Sequence, residues 1–335
     1  MVFLRALGSP DPYGRQLDGM GGGISSLSKI VIVSNSDNPQ ADIDYTFGQV
    51  SIDKPIVDYE SNCGNLTSAV GPFAIDEGLL RVKNGYTTVR LRNKNTNKII
   101  TSRFKVLGGK AVTLGSEKIA GVSGTGSRID LEFLSPGGAI TGSLLPTGRP
   151  VTNFKVSGFG SIDVSIVDAS TACVFISAKS LNLVGIEKPN EIEANTRLIQ
   201  MLDQIRKIAI SEMGLSKLIQ SVPKLAIISE PQDCLINGST KISKNDIDLT
   251  ARVISMGKPH KALPLTVGMC LAAAAKTTNT LPNIISRFTH GMNDNVRIGH
   301  PAGIFSSQVK QSGQVLESIN VVRTQRRLME GFVLL

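Results

Sequence analysis

Tryptophan is absent from this chain of 335 residues, and aromatic residues make up only 4% of it. Binders of single-stranded nucleic acid stack bases on exposed aromatics, and this chain has few to offer. Histidines number three and cysteines four. Cys63, Cys173, Cys234 and Cys270 lie far apart and form no CxxC pair. They read as free thiols of a reducing cytosol, not as a disulfide frame or a zinc site. His260, His290 and His300 lack metal-ligand spacing, so no metal is expected. The sequons at Asn65 and Asn237 are then chance matches. No apolar run approaches the roughly 18 residues of a membrane span; the longest lies near Leu271 to Ala275. The start, Met1-Val2-Phe3-Leu4-Arg5, has no apolar signal-peptide core. The expectation is a cytoplasmic protein without a membrane contact.

Hydrophobic residues reach 41%, which at this length supports a sizeable core. The length suits about two domains at ~150 residues each. Glycine stands at 33, so turns and close backbone approaches are frequent. Lys plus Arg is 36 against 27 for Asp plus Glu, a net charge of +9. That balance fits nucleic acid, an anionic membrane or an anionic small substrate. The densest basic stretch, Arg81 to Lys110, interleaves charges with apolar residues and reads as the solvated face of strands. Nucleic acid is therefore not expected as a partner.

Hydrophobic patterning places the elements. Ile30 to Val33 reads as a buried strand after the Gly-rich stretch Asp18 to Gly23, and Tyr45 to Ile52 alternates like a strand. Residues from about 64 to 76 read as a buried helix with Asn62 or Cys63 at its N-terminus and Gly78 at its end, although Pro72 is awkward inside it. Strands are expected over Thr87–Asn93, Lys98–Val106, Arg128–Phe133, Ala139–Leu144, Ser161–Val167 and Ala172–Ser177. A long amphipathic helix runs from an N-cap at Asn190 to a stop at Gly214. Further strands follow at Lys224–Ser229, Arg252–Ser255, Asn295–Gly299, Gly303–Ser307 and Glu317–Val322, with a second buried helix over Thr266–Lys276. Strand, Gly-rich turn and buried helix thus occur early and recur late, as in two similar lobes.

Cys63 is the sharpest chemical candidate. A thiol at a helix N-terminus faces the positive end of the helix dipole, which favours a thiolate. The amides of Gly64 and Asn65 would be free there to hold a carboxylate. The plain alternative is a small residue that starts a helix. Lys29, at the edge of a strand, is a candidate base if burial removes its proton, or an ordinary lysine that snorkels to solvent. His300 lies in Gly299-His300-Pro301-Ala302-Gly303, a tight turn that can present amides or be purely structural. Gly124-Thr125-Gly126 matches no phosphate-binding loop, and no nucleotide cofactor is indicated.

Several segments together resemble the PrpF family of 2-methylaconitate cis–trans isomerases. They are Leu4 to Asp11, Asp18 to Gly22, Ser25-Ser26-Leu27-Ser28-Lys29, Asn62-Cys63-Gly64-Asn65 with Ala69 to Ala74, and Thr141 to Gly148. Met256 to Ala262, Ile298 to Gly303 and Arg323 to Gly331 extend the resemblance over nearly the whole chain. Related members are 3-methylitaconate isomerase, 4-oxalomesaconate tautomerase and aconitate isomerase. The resemblance implies an α+β, diaminopimelate-epimerase-like fold. Its two pseudo-symmetric lobes each wrap a mixed β-sheet around a central helix, with the site in the cleft between them. The lobes would be residues 1–150, with 320–335 returning to them, and 151–319. It implies Lys29 and Cys63 as the catalytic pair in a cofactor-independent proton transfer through a dienolate. Ser25, Ser26, Asn62, Gly64, Asn65, Gly299, His300 and Gly303 would bind a di- or tricarboxylate. Amino-acid epimerases of related type place a second cysteine at the second helix, where this chain has only Cys270, about one turn inside. Family members usually begin some tens of residues earlier, so a fragment, or a shortened and inactive paralogue, is the alternative expectation. A monomer or homodimer is expected.

Overall fold

A computed structural model describes residues 2–59, 63–215, 222–236, 240–255, 257–287, 294–313 and 315–335; Asn62, Asn237, Met256 and His290 lie outside them. The chain forms two compact units. The first holds Met1–Glu117, Thr125–Leu131 and Arg323–Leu335, the second Lys118–Gly124 and Glu132–Val322.

The first unit opens with α1 (Val2–Ala6). Its strands are β1 (Lys29–Asn35), β2 (Ile43–Val50), β3 (Val57–Asp58), β4 (Gly85–Asn93), β5 (Lys98–Leu107), β6 (Lys110–Ala111) and the start of β7 (Ile129–Leu134). The sheet order is β1-β2-β4-β5-β7, with β3 on β2 and β6 on β5. Helix α2 (Gly64–Asp76) lies between β2 and β4 in sequence. Those two strands are parallel, with Ile43 opposite Leu91, Asp44 opposite Arg92 and Tyr45 opposite Asn93. A parallel step needs a crossover, and α2 supplies it. The helix packs on β1, β2, β4 and β5. Gly71 permits this approach, because a Cβ there would come within 2.9 Å of the Phe104 ring and the Ser102 hydroxyl. Pro72 follows directly, and the helix nevertheless runs unbroken to Asp76, with Gly78 at φ +70° beyond its end.

The reading of Ile30 to Val33 as a buried strand is corrected. The strand exists but ends the sheet order, and Ile32 is 45% exposed because β2 is its one neighbour among the described residues.

The second unit contains β8 (Thr152–Val156), β9 (Gly160–Asp168), β10 (Ala172–Ser177), α3 (Pro189–Ala194), α4 (Thr196–Glu212), β11 (Lys224–Ser229), β12 (Cys234–Ile236), β13 (Thr240–Ile242), β14 (Leu249–Ser255) and β15 (Lys258–Pro259). Then come α5 (Leu265–Lys276), α6 (Leu281–Ile285), β16 (Asn295–His300), β17 (Gly303–Ser312) and β18 (Val315–Arg323). The sheet order is β18-β17-β16-β14-β11-β10-β9-β8, and β12 and β13 form a separate ribbon. Its two parallel steps, β10 to β11 and β14 to β16, again carry helices in the connection. Strand β10 is apolar at nearly every position because both its faces are covered. Val174 and Ile176 join Leu198, Leu202 and Ile205 of α4 in one cluster. Every residue of α5 from Leu265 to Ala275 is buried, as expected of a helix apolar all round. Gly268 repeats the device of Gly71, since a Cβ would meet the Phe305 ring at 2.8 Å.

Two further expectations are corrected. Ala139 to Leu144 is a run of turns rather than a strand. The buried Asp168 carboxylate draws this segment in, accepting from the amides of Ile140 and Thr141 at 2.8 and 2.7 Å and from the Thr141 hydroxyl at 2.9 Å. The long helix from Asn190 is two helices. Asn195 breaks it and caps the second, its side chain accepting from the Leu198 amide at 3.0 Å. Pro189 opens the first, where Glu191 accepts from the Lys188 amide at 2.8 Å.

Arg92 and the buried Asp44 form an ion pair across the parallel step, with Nε donating to Asp44 at 2.8 Å. The hydrogen bond from Arg92 holds the Asp44 carboxyl below the usual carboxylate range. Such a carboxylate stabilises the fold above its unfolded pKa of about 4, and the contribution is lost as pH falls through the lower folded value. Arg92→Met should therefore destabilise the protein at pH 7, because the buried Asp44 carboxylate loses its paired cation. Denaturant titrations of the two proteins at pH 7 and pH 3 should show the gap narrowing at pH 3.

Candidate functional site

Lys29 is the first residue of β1, and Cys63 is the residue from which α2 starts. The fold brings them together over 34 positions of sequence: the Lys29 Nζ donates to the Cys63 Sγ at 3.4 Å. Cys63 is 8% exposed and Lys29 is half-buried. Cys63 has extended geometry, φ −125° and ψ 96°, and its side chain does not cap the helix. The first amides of α2, those of Gly64, Asn65 and Leu66, have no acceptor one turn earlier within the helix. An amine, a thiol and a helix N-terminus therefore converge on one place. This arrangement can move a proton and hold an anion.

Lys29 is held by the loop that precedes it. The buried Gln16 is the hub of that loop. Its Nε2 donates to the Ser9 hydroxyl at 2.7 Å, and its Oε1 accepts from the Gly23 amide at 3.0 Å and from the Ser28 hydroxyl at 2.6 Å. Asp11 accepts from the amides of Tyr13, Arg15 and Gln16, which closes the turn that presents Gln16. Those backbone donors, the Tyr13 amide foremost, hold the Asp11 carboxyl below its ordinary value. Gln49, opposite Lys29 on β2, donates to the carbonyls of Ser25 and Ser28 at 3.0 Å each.

Cys63 is held from inside the core. The Thr67 amide and hydroxyl both donate to the Cys63 carbonyl at 3.2 Å. Thr67 in turn meets the Tyr45 hydroxyl at 2.9 Å, and Asn93 Nδ2 donates to that hydroxyl at 2.9 Å. Burial pushes the Tyr45 phenol far above its usual pKa, so it stays neutral.

The other expected residues divide. Gly64 and Asn65 open α2, the first buried and the second exposed. Ser25 and Ser26 form an exposed turn of 3-10 helix that leads to Lys29. Asn62 lies outside the described residues. Gly299, His300 and Gly303 belong to the second unit, where His300 and Gly303 pair at the tip of the β16–β17 hairpin. Packing explains both glycines, for a Cβ at Gly299 would meet Ile247 at 2.7 Å and one at Gly303 would meet Ala120 at 2.7 Å. The Ala302 amide donates to His300 Nδ1 at 3.2 Å, so that amide is already engaged by the turn itself. Cys270 is a core residue whose thiol donates to the Val167 carbonyl at 3.3 Å, and burial pushes it up. Among the described residues no group of three or more His, Cys, Asp or Glu is placed to hold a metal ion, and no helix is long and apolar enough to cross a membrane.

Gln16, Tyr45, Thr67 and Asn93 were not legible as site residues. Thr67 had one available signal, its place four residues after Cys63, where a helical hydroxyl meets the carbonyl one turn back. Tyr45 and Asn93 looked like ordinary strand residues, and only the register of β2 and β4 sets them side by side.

The crystal structure of a methylitaconate-delta-isomerase superposes at TM-score 0.85 with 39% identity, over 99% of this chain and 87% of that one. A hydroxyproline epimerase from Agrobacterium vitis, only 11% identical, shares the fold at TM-score 0.55 over 97% of this chain and 79% of its own. The fold is thus diaminopimelate-epimerase-like, and the protein is an isomerase. A family model described as PrpF protein matches residues 1–335, and the chain belongs to that family. It is 40% identical to the 3-methylitaconate isomerase of Eubacterium barkeri, over 99% of this chain and 88% of the relative. It is 37% identical to the 2-methyl-aconitate isomerase of Shewanella oneidensis, over 99% and 87%.

If Gln16 organises the loop before Lys29, Gln16→Ala should lower stability by about 1–3 kcal/mol, the cost of stranding buried hydrogen-bond partners. Limited proteolysis should then cut between residues 9 and 28 at least several-fold faster than in the wild type.

Proposed function

We propose that the protein isomerises unsaturated di- or tricarboxylic acids by allylic proton transfer, with Lys29 and Cys63 as the catalytic pair. The contact of 3.4 Å between their side chains at the N-terminus of α2 is the observation that carries this reading. A substrate of this class has a hydrogen on a carbon next to a double bond that is conjugated with a carboxylate. Lys29, as the amine, takes that proton and becomes an ammonium. The electron pair spreads over the double bond into the carboxylate and gives a dienolate. The Cys63 thiol returns a proton to carbon and becomes a thiolate. Return to the original carbon after rotation gives cis–trans isomerisation, and return to the other end of the allyl system moves the double bond. The ammonium then passes its proton to the thiolate across their hydrogen bond, which restores both groups. Each proton in the cycle is carried by these two side chains, so the scheme calls for no cofactor.

The dienolate needs donors fixed before the charge develops. The amides of Gly64 and Asn65 at the head of α2 fill that role, and the hydroxyls of Ser25 and Ser26 stand on the turn that leads to the base. The charge of +9 favours the approach of a polyanion. The compounds in the relatives' names, 2-methylaconitate and 3-methylitaconate, share the required carboxylate and allylic hydrogen, and trans-aconitate has the same frame.

Proton NMR in D₂O with each of these acids tests the scheme. The wild type should isomerise at least one of them with deuterium entering the allylic carbon, and Lys29→Ala and Cys63→Ser should each lose at least about 10²-fold in rate. A well-folded wild type that exchanges no proton in any of the acids would sink the proposal.

A further inference from the structure

The hydrogen bonds behind Cys63 run in one direction, and this follows from counting hydrogens. The Thr67 hydroxyl has a single hydrogen, and it is given to the Cys63 carbonyl at 3.2 Å. Thr67 can therefore only accept from Tyr45 at 2.9 Å. The Tyr45 hydroxyl, having given its hydrogen to Thr67, must accept its remaining partner, and Asn93 Nδ2 donates to it at 2.9 Å. The orientation of the Asn93 amide is set independently, because its Oδ1 accepts from the amides of Asn95 and Thr96 at 2.8 and 3.3 Å. The chain of donors thus leads from the loop after β4, through Asn93, Tyr45 and Thr67, to the carbonyl of Cys63. All three side chains are fully buried. Burial keeps the Tyr45 phenol neutral, so the chain has no second protonation state. A helical threonine often bonds the carbonyl one turn back without consequence. Here that bond is the end of a buried relay anchored on two strands, and its target is the residue whose thiol faces Lys29.

We propose that Thr67 and Tyr45 are positioning residues for the isomerase reaction: they fix the backbone of Cys63 so that its sulfur stays against the Lys29 amine. The inference rests on the assignment of Lys29 and Cys63 as the reacting pair. Neither Thr67 nor Tyr45 touches substrate in this scheme. Their effect belongs in the chemical step, because a displacement of about 1 Å can cost about 10²-fold in rate, and the Gly64 and Asn65 amides that move with Cys63 serve the dienolate of that same step.

The test compares Thr67→Val, Thr67→Ser and Tyr45→Phe with the wild type. Two readouts are taken: kcat and KM on an acid the wild type isomerises, and the rate of Cys63 alkylation by iodoacetamide at pH 7, followed by peptide mass spectrometry. Thr67→Val keeps the shape and removes the hydroxyl. It should lower kcat by about 10- to 100-fold with KM within about twofold, and slow Cys63 alkylation at least fivefold. Thr67→Ser keeps the hydroxyl and should stay within about twofold of wild type in both readouts. Tyr45→Phe leaves the last bond in place and should give an intermediate loss of about threefold in each. A folded Thr67→Val with wild-type kcat and unchanged or faster alkylation overturns the proposal. So does a Thr67→Ser as impaired as Thr67→Val, since packing alone would then account for both. If Thr67→Val does not fold, the decision passes to Tyr45→Phe, and wild-type behaviour in both readouts overturns the proposal. The alkylation readout needs no substrate. If the wild type isomerises none of the acids, the functional reading fails on its own while alkylation still decides the role of the relay.

Discussion

The contact between the Lys29 amine and the Cys63 sulfur joins two segments that have no local reason to meet. One is the start of an edge strand and the other the start of a buried helix. Each end is fixed by its own set of buried polar groups. Gln16 gathers the loop before Lys29, and the Asn93–Tyr45–Thr67 relay reaches the carbonyl of Cys63. Buried polar groups cost free energy unless they are satisfied, so each set confines the backbone that supplies its partners. Without that confinement an amine on a long side chain would spend its time in solvent.

Behind the contact lies a packing constraint. Helix α2 comes close to its sheet because Gly71 has no Cβ to strike Phe104. Helix α5 in the second unit approaches its own sheet by the same means, with Gly268 against Phe305. Both helices serve crossovers between parallel strands, and both are dominated by small apolar residues. The two units thus solve one problem in one way. They differ in chemistry: α2 starts from Cys63, whereas α5 starts after Pro264 and keeps Cys270 inside the core, bonded to a carbonyl. A thiol fully removed from solvent, with burial disfavouring its anion, is a packing residue.

Each corrected element has an identifiable physical cause. The strand expected at Ala139 to Leu144 lost to a single carboxylate, because Asp168 offers the backbone amides of Ile140 and Thr141 a better-fixed acceptor than a neighbouring strand. The helix expected from Asn190 broke at Asn195, whose side chain competes for a backbone amide and so ends one helix and begins another. The run Ile30 to Val33 looked buried because it is apolar, yet burial depends on neighbours, and β1 stands at the end of its sheet order.

By itself the sequence determined the two buried helices and most of the strands, and it singled out Cys63 and Lys29 as candidates. Apolar periodicity, a glycine after the helix and a residue type at a helix start are local facts, and they are written in consecutive positions. The family resemblance added the pairing of the two residues as an implication. Only the tertiary structure decided that the amine lies 3.4 Å from the sulfur, and that Tyr45, Thr67 and Asn93 stand behind it. Tyr45 and Asn93 are 48 positions apart and meet because β2 and β4 pair in one register. Register is set by the burial of whole strand faces, so no short stretch of sequence carries it.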